Sequence, residues 1–278
     1  MTTLLLVFLV WLGSLFAGLL GSLTGLGGGV VIVPLLVLVF GVDIRYAMGA
    51  SLISVIATSS GAAAAYVKEG FSNIRIGMFL EIATTMGALL GAFFAVRLPT
   101  TLIGEIFGGV LIVSAFASPH ETADPTGEGP PDPLATRLRM DSTYPALAGI
   151  KSYRVRRIPA GFGMMFGAGA LSGLLGIGSG AFKVLAMDQV MRIPFKVSTT
   201  TSNFMIGVTA AASAGIYLRQ GFIAPGLAMP VVLGVIIGSL IGTRILVKSK
   251  TKWLRIVFSV VIAVVGFEMI YGALTGKL

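Results

Sequence analysis

Residues 16–40 read FAGLLGSLTGLGGGVVIVPLLVLVF and residues 173–191 read GLLGIGSGAFKVLAMDQVM. In each, a glycine cluster, Gly25 to Gly29 or Gly176 to Gly180, precedes an apolar stretch of 11 residues, Val30 to Phe40 or Ala181 to Met191. Eleven residues make about 16 Å of helix, half of the roughly 30 Å hydrocarbon layer of a bilayer. The pattern predicts a helix that begins inside a membrane, and it occurs twice.

The rest of the chain agrees with a membrane setting. Of 278 residues, 55% are hydrophobic and 11% charged, whereas a soluble domain carries about 25% charged residues. Apolar runs long enough to span lie at 4–23, 47–67, 74–97, 100–117, 158–175, 197–218, 225–247 and 253–273. They predict eight full transmembrane helices, the first a retained helix rather than a cleaved signal. The net charge of +9 is scattered between these runs, so it reports orientation in a lipid bilayer and not a nucleic-acid surface. No Cys and one His exclude disulfides and the ligand sets of iron–sulfur, haem-thiolate and structural zinc centres. No metal or cofactor is expected.

At an offset of 151, residues 17–91 align with 168–242 without a gap and with 19 identities in 75 positions. This predicts a duplicated unit, with Gly25, Gly27 and Gly29 matched to Gly176, Gly178 and Gly180, Ser51 to Ser202 and Thr58 to Thr209. If each short segment completes a crossing, each half has five passes, and an odd number inverts the second half. That arrangement puts fifteen basic residues on one side and Arg45, Arg97, Arg219 and Lys277 on the other, with Lys183 inside a helix. Re-entrant short segments would divide them ten to nine. Positive residues gather on the cytoplasmic side, which favours the first arrangement, with both termini outside. The expectation is an all-α polytopic bundle of two inverted repeats, 1–117 and 158–278. They are joined by a proline-rich cytoplasmic linker, 118–157, in which His120 is a lone solvated side chain.

Backbone left unwound at membrane depth cannot be satisfied by lipid. A helix start offers free N–H groups and partial positive charge, so the glycine clusters, Gly27, Gly28 and Gly29 with Gly178, Ser179 and Gly180, suit a small anion. Close helix packing is the alternative reading, and it is the expected role of Gly18, Gly87, Gly91, Gly238 and Gly242. Lys183 lies three residues after Gly180. A cation there opposes the helix dipole and is costly in lipid, so it reads as compensation for an anion, with snorkelling to water as the competing explanation. Ser202 and Asn203, and Ser51 in the first half, are candidate anion donors. Glu81 and Asp188 are the carboxylates within apolar runs, candidates for proton coupling or gating, or else structural acids, with Asp188 paired to Arg192.

These residues resemble the TauE/SafE sulfite-exporter family. The likeness rests on Phe16 to Gly29 followed by Val33-Pro34, and on Gly173 to Gly180 followed by Ser198 to Thr209. It implies a bacterial or archaeal plasma-membrane transporter of small sulfur-containing anions such as sulfite, sulfoacetate or related organosulfonates. The family's functional region falls on Gly27, Gly28, Gly29, Gly178, Ser179, Gly180, Ser202 and Asn203. Where the first motif has Gly28 and Pro34 the second has Ser179 and Leu185, with Lys183 added. The sequence therefore predicts a secondary transporter working by alternating access, with protons or the membrane potential as driver, since no phosphate loop is present. An anion channel is the nearest rival. A membrane hydrolase lacks a nucleophile–base set, and an assembly protein leaves Lys183 unexplained. Oligomeric partners are not legible.

Overall fold

A computed structural model describes residues 3–24, 28–68, 72–116, 132–146, 149–178, 180–246 and 251–276. It is an all-α bundle. The first half contains α1 (Thr3–Thr24), α2 (Gly29–Pro34), α3 (Ile44–Lys68), α4 (Ile74–Ala95) and α5 (Thr100–Phe116). The second contains α7 (Ile158–Leu175), α8 (Gly180–Leu185), α9 (Phe195–Arg219), α10 (Pro225–Leu246) and α11 (Thr251–Leu274). The short helices α2 and α8 each run on into a wider π-helical turn, Leu35–Val39 and Ala186–Val190. Pro34 lacks an N–H, but Leu185 occupies the matching place before the same turn, so proline is not its cause. The turns close alike: Val42 N–H donates to Leu36 O at 3.0 Å, and its counterpart Ile193 N–H to Met187 O at 2.9 Å.

The long helices bury one stripe and expose another. On α4, Ile76, Leu80, Ala83 and Gly87 face inward, while Met78, Ile82, Met86 and Leu90 are exposed. α10 exposes Met229, Leu233 and Ile237, and α11 exposes Val260, Val264 and Phe267. Apolar stripes on so many outer faces suit lipid and not water.

Pairing between halves follows the repeat. α1 packs on α10 and its counterpart α7 on α4, while α3 meets α9 and α5 meets α11. Gly234 lies against Trp11 and Leu15, and Gly238 against Leu15 and Leu19, so α1 and α10 run parallel. Gly87 lies against Phe166 and Ala170, and Gly91 against Ala170 and Leu174, so α4 and α7 do too. α3 and α9 run antiparallel: Met48 meets Tyr217, and Ser59 meets Gly207. α5 and α11 likewise oppose, Gly108 against Ile270 and Ile112 against Gly266. Gly18, Gly87, Gly91 and Gly238 each touch a neighbouring helix's backbone where a side chain would stand, as packing glycines do. Of the packing candidates, the Gly242 side is not among the described positions.

The linker is more than a tether. Residues 117–131, with His120, lie outside the described residues. Beyond them a short helix α6 (Pro133–Arg137) and an antiparallel hairpin, β1 (Ser142–Ala146) and β2 (Gly149–Tyr153), pair Tyr144 with Lys151. Asp132 caps α6, its carboxylate accepting from Leu134 N–H at 2.9 Å, with Pro133 in the first turn, the usual helix start. Met140, Tyr144, Tyr153 and Val155 join Ile76 and Leu80 of α4, Met165 of α7, Met187 after α8 and Met205 of α9 in one apolar cluster. Asn73 fastens the hairpin: Oδ1 caps α4 by accepting from Ile76 N–H, and Nδ2 donates to Tyr153 Oη at 2.7 Å and Met140 O at 3.2 Å. Burial pushes the Tyr153 phenol above its ordinary pKa, the Asn73 hydrogen bond working against it. The only sequence trace of this strand is the apolar–polar–apolar Tyr153-Arg-Val155, under a proline-rich composition that reads as loop.

Candidate functional site

The second break is made by backbone that only glycine adopts readily. Gly176 ends α7 at φ +66°, its N–H donating to Ser172 O at 2.8 Å, and Gly178 follows at φ +75°. α8 restarts at Gly180. In the first half α2 starts at Gly29, and the space a side chain would take there is filled by Ser51 Oγ, Val55 and the Ile177 backbone. Val55 also lies against Gly178, as does Ile206. The two interruptions thus meet at the centre of the bundle, around Val55. Gly28 is buried, and Gly27 and Ser179 lie outside the described residues.

The matched serines serve one break. Ser51 Oγ donates to Gly176 O at 2.7 Å from α3, and Ser202 Oγ donates to Gly180 O at 3.3 Å from α9. Gly176 lies past the last turn of α7, so Ser51 supplies a partner its carbonyl would otherwise lack, whereas Gly180 opens α8 and Ser202 adds a bond to its carbonyl. Ser202 thus reaches the broken helix. Asn203 is half-buried beside it.

Lys183 is fully buried, 0% exposed. Its Nζ donates to Thr209 Oγ1 at 2.5 Å, and the Thr209 hydroxyl donates to Glu81 Oε1 at 2.7 Å. Thr85, one turn along α4, donates to the same oxygen at 3.1 Å. The second carboxylate oxygen, Oε2, is buried with no hydrogen-bond partner among the described residues. Glu81 itself is 8% exposed. One threonine of α9 thus joins the cation of α8 to the carboxylate of α4. An isolated charge in such surroundings costs several kcal/mol or more, and opposite charges linked through a hydroxyl offset much of it.

Two sequence candidates, Lys183 and Glu81, come together in one cluster. Asp188 is buried on the π-helical turn after α8. Thr209 was visible before only as a repeat match. Its signal was spacing: Ser202, Ile206 and Thr209 lie at helical intervals on one face of α9, and all three are buried. Thr84 and Thr85 followed Glu81 by one turn and carried the same hint.

The profile of the family described as Sulfite exporter TauE/SafE matches residues 10–269. The chain is 30% identical over 273 residues to "Probable membrane transporter protein YunE" of Bacillus subtilis (strain 168), covering 95% of this chain and 97% of that one. It is 26% identical over 282 residues to "Probable membrane transporter protein MJ0441" of Methanocaldococcus jannaschii, covering 96% of each. No solved structure matches.

Proposed function

This chain belongs to the sulfite exporter TauE/SafE family of membrane transporters, and from that premise we propose that it is a multi-pass plasma-membrane secondary transporter. Its cargo is a small anion of the sulfite or organosulfonate class, moved by alternating access. The observation that carries the reading is Lys183, fully buried one turn after the Gly176–Gly180 break, where the two interrupted helices meet. A cation placed against its own helix dipole is retained for something other than stability. Ser202 and Asn203 of α9, Ser51 of α3, and the backbone around Gly27 to Gly29 and Gly178 to Gly180 complete the anion's surroundings in this proposal.

The halves are proposed to be inverted repeats. Halves running in the same direction would set α3 parallel to α9 and α5 parallel to α11, and the contacts in both pairs run the other way. With five passes each, the termini lie outside, and the linker with its hairpin lies in the cytoplasm. Rocking of the pair α1–α10 with its neighbours against α4–α7 with theirs would open the central junction to one side at a time.

The test is thermal stabilisation of the purified protein by sulfite, isethionate, sulfoacetate, sulfate and chloride, followed by uptake into proteoliposomes. Sulfite or a sulfonate is expected to stabilise the wild type, Lys183→Ala to abolish that stabilisation, and uptake to saturate. Full stabilisation in Lys183→Ala would remove the lysine from the site. Uptake that stays linear with concentration at channel-like rates would overturn the transporter in favour of a pore.

A further inference from the structure

Resting on the transport reading, we infer that an incoming anion takes Glu81's place as the countercharge of Lys183, and that Glu81 then binds one proton for each anion. The residues already form the anion-free half of this exchange. Lys183 reaches Glu81 through the Thr209 hydroxyl, and a chain of one cation and one carboxylate is neutral. Adding a monovalent anion at Lys183 leaves an unneutralised negative charge among α4, α8 and α9, in surroundings of low dielectric. Protonating the carboxylate restores neutrality.

The geometry supplies a place for that proton. Glu81 Oε1 accepts from Thr209 and Thr85, whereas Oε2 is buried with no hydrogen-bond partner among the described residues. The proton, drawn from the aqueous phase, bonds to Oε2, and no bond other than its own to water breaks. Thr209 keeps its bond to Oε1 or turns its hydroxyl to Met205 O, which lies 2.9 Å away. Its oxygen is then free to serve the lysine alone.

Few other charged groups can interfere. α4 itself carries Arg75 at its exposed start, where it donates to Arg139 O, and is packed by α7, α9 and the linker hairpin, which brings Tyr144 and Tyr153 with Asp141 beside the latter. α7 has no ionisable side chain, and α9 carries Lys196 and Arg219 at its exposed ends and Tyr217, which donates to Gly173 O. α8 and its π-helical turn contribute Lys183 and Asp188. Of these, Lys183 is the group joined to Glu81.

For a monovalent anion the exchange fixes a number: one proton taken up per anion bound. Isethionate is a suitable probe because a sulfonate carries no titrating proton near neutral pH. It would be added to the purified full-length protein in weakly buffered detergent, with an indicator dye reading proton uptake and equilibrium dialysis reading bound anion. If sulfoacetate or sulfite stabilises the protein instead, that anion is used with its own buffering subtracted. The expected ratio is near one for the wild type and near zero for Glu81→Gln, with anion still bound by the variant. A wild-type ratio near zero overturns the inference, and so does an unchanged ratio in Glu81→Gln. Should that variant not fold, the wild-type ratio alone decides. Failure of every anion to bind the wild type would instead bring down the transport reading beneath it.

Discussion

Residues 17–91 and 168–242 align one to one, yet at three matched positions one half carries charge where the other carries hydrocarbon, Lys183 and Asp188 in the second half and Glu81 in the first. Lys183, Glu81 and Asp188 correspond to Ile32, Val232 and Val37 at the same offset. At the first break Ile32 and Val235 of α10 both lie against Gly28, and both are buried. That junction is a packed apolar contact. At the second break, Lys183 of α8 and Glu81 of α4 are joined through the hydroxyl of Thr209 on α9. The same backbone framework thus tolerates either solution, which means the charges are not needed to form the fold. The asymmetric site draws its carboxylate, Glu81, from the first half and its lysine and threonine from the second.

The comparison is broken most severely by making the charged junction resemble the apolar one. Lys183→Ile leaves the Glu81 carboxylate buried without its cation. Removing one partner of a buried pair costs about 3–5 kcal/mol, read as a lower unfolding midpoint for the detergent-purified protein. Adding Glu81→Val copies both apolar counterparts, Ile32 and Val232, and should recover most of that stability while leaving transport absent. A single Lys183→Ile variant as stable as the wild type would mean that Glu81 does not depend on Lys183.

A smaller effect separates the matched threonines. Thr58 Oγ1 donates only back along its own helix, to Ser54 O at 3.0 Å, with Val55 O at 3.2 Å, whereas Thr209 bridges two other helices. Thr209→Val should cost about 1–3 kcal/mol by leaving buried polar partners unsatisfied, and Thr58→Val should cost within roughly 0.5 kcal/mol. Equal midpoints for the two variants would contradict the bridging role.

The smallest expected change lies in the turns after the short helices. Gly41 and Arg192 occupy the same left-handed turn, at φ +64° and +58°. A non-glycine residue costs about 1–2 kcal/mol there, against roughly 0.5–1 kcal/mol for the extra freedom of glycine in the unfolded chain. Arg192→Gly should therefore raise stability by up to about 1 kcal/mol, and Gly41→Arg, in open space, should lower it similarly. A drop in midpoint for Arg192→Gly would show that the arginine side chain holds the turn.

Much of this was legible in the chain itself. The hydrophobic runs predicted helices at 74–97 and 158–175, where α4 and α7 span 74–95 and 158–175. The 11-residue stretches became α2 and α8 with their π-helical turns, and the glycine clusters became their starts. The hairpin was hidden because proline-rich composition masks a short strand, and the π-helical turns were hidden because no residue type specifies them.

What the sequence determined is local: a segment's length against the bilayer, its freedom to break at glycine, and its match to a copy 151 positions away. Each of these is a property of neighbours along the chain, fixed before anything packs. Which polar groups would meet was decided by tertiary structure alone. Glu81 and Thr209 are 128 residues apart, and they touch because α4 packs along α9 while α8 delivers Lys183 to the other side of the same hydroxyl. No periodicity encodes that meeting, since a buried charge in lipid finds its partner through helix packing and not through spacing.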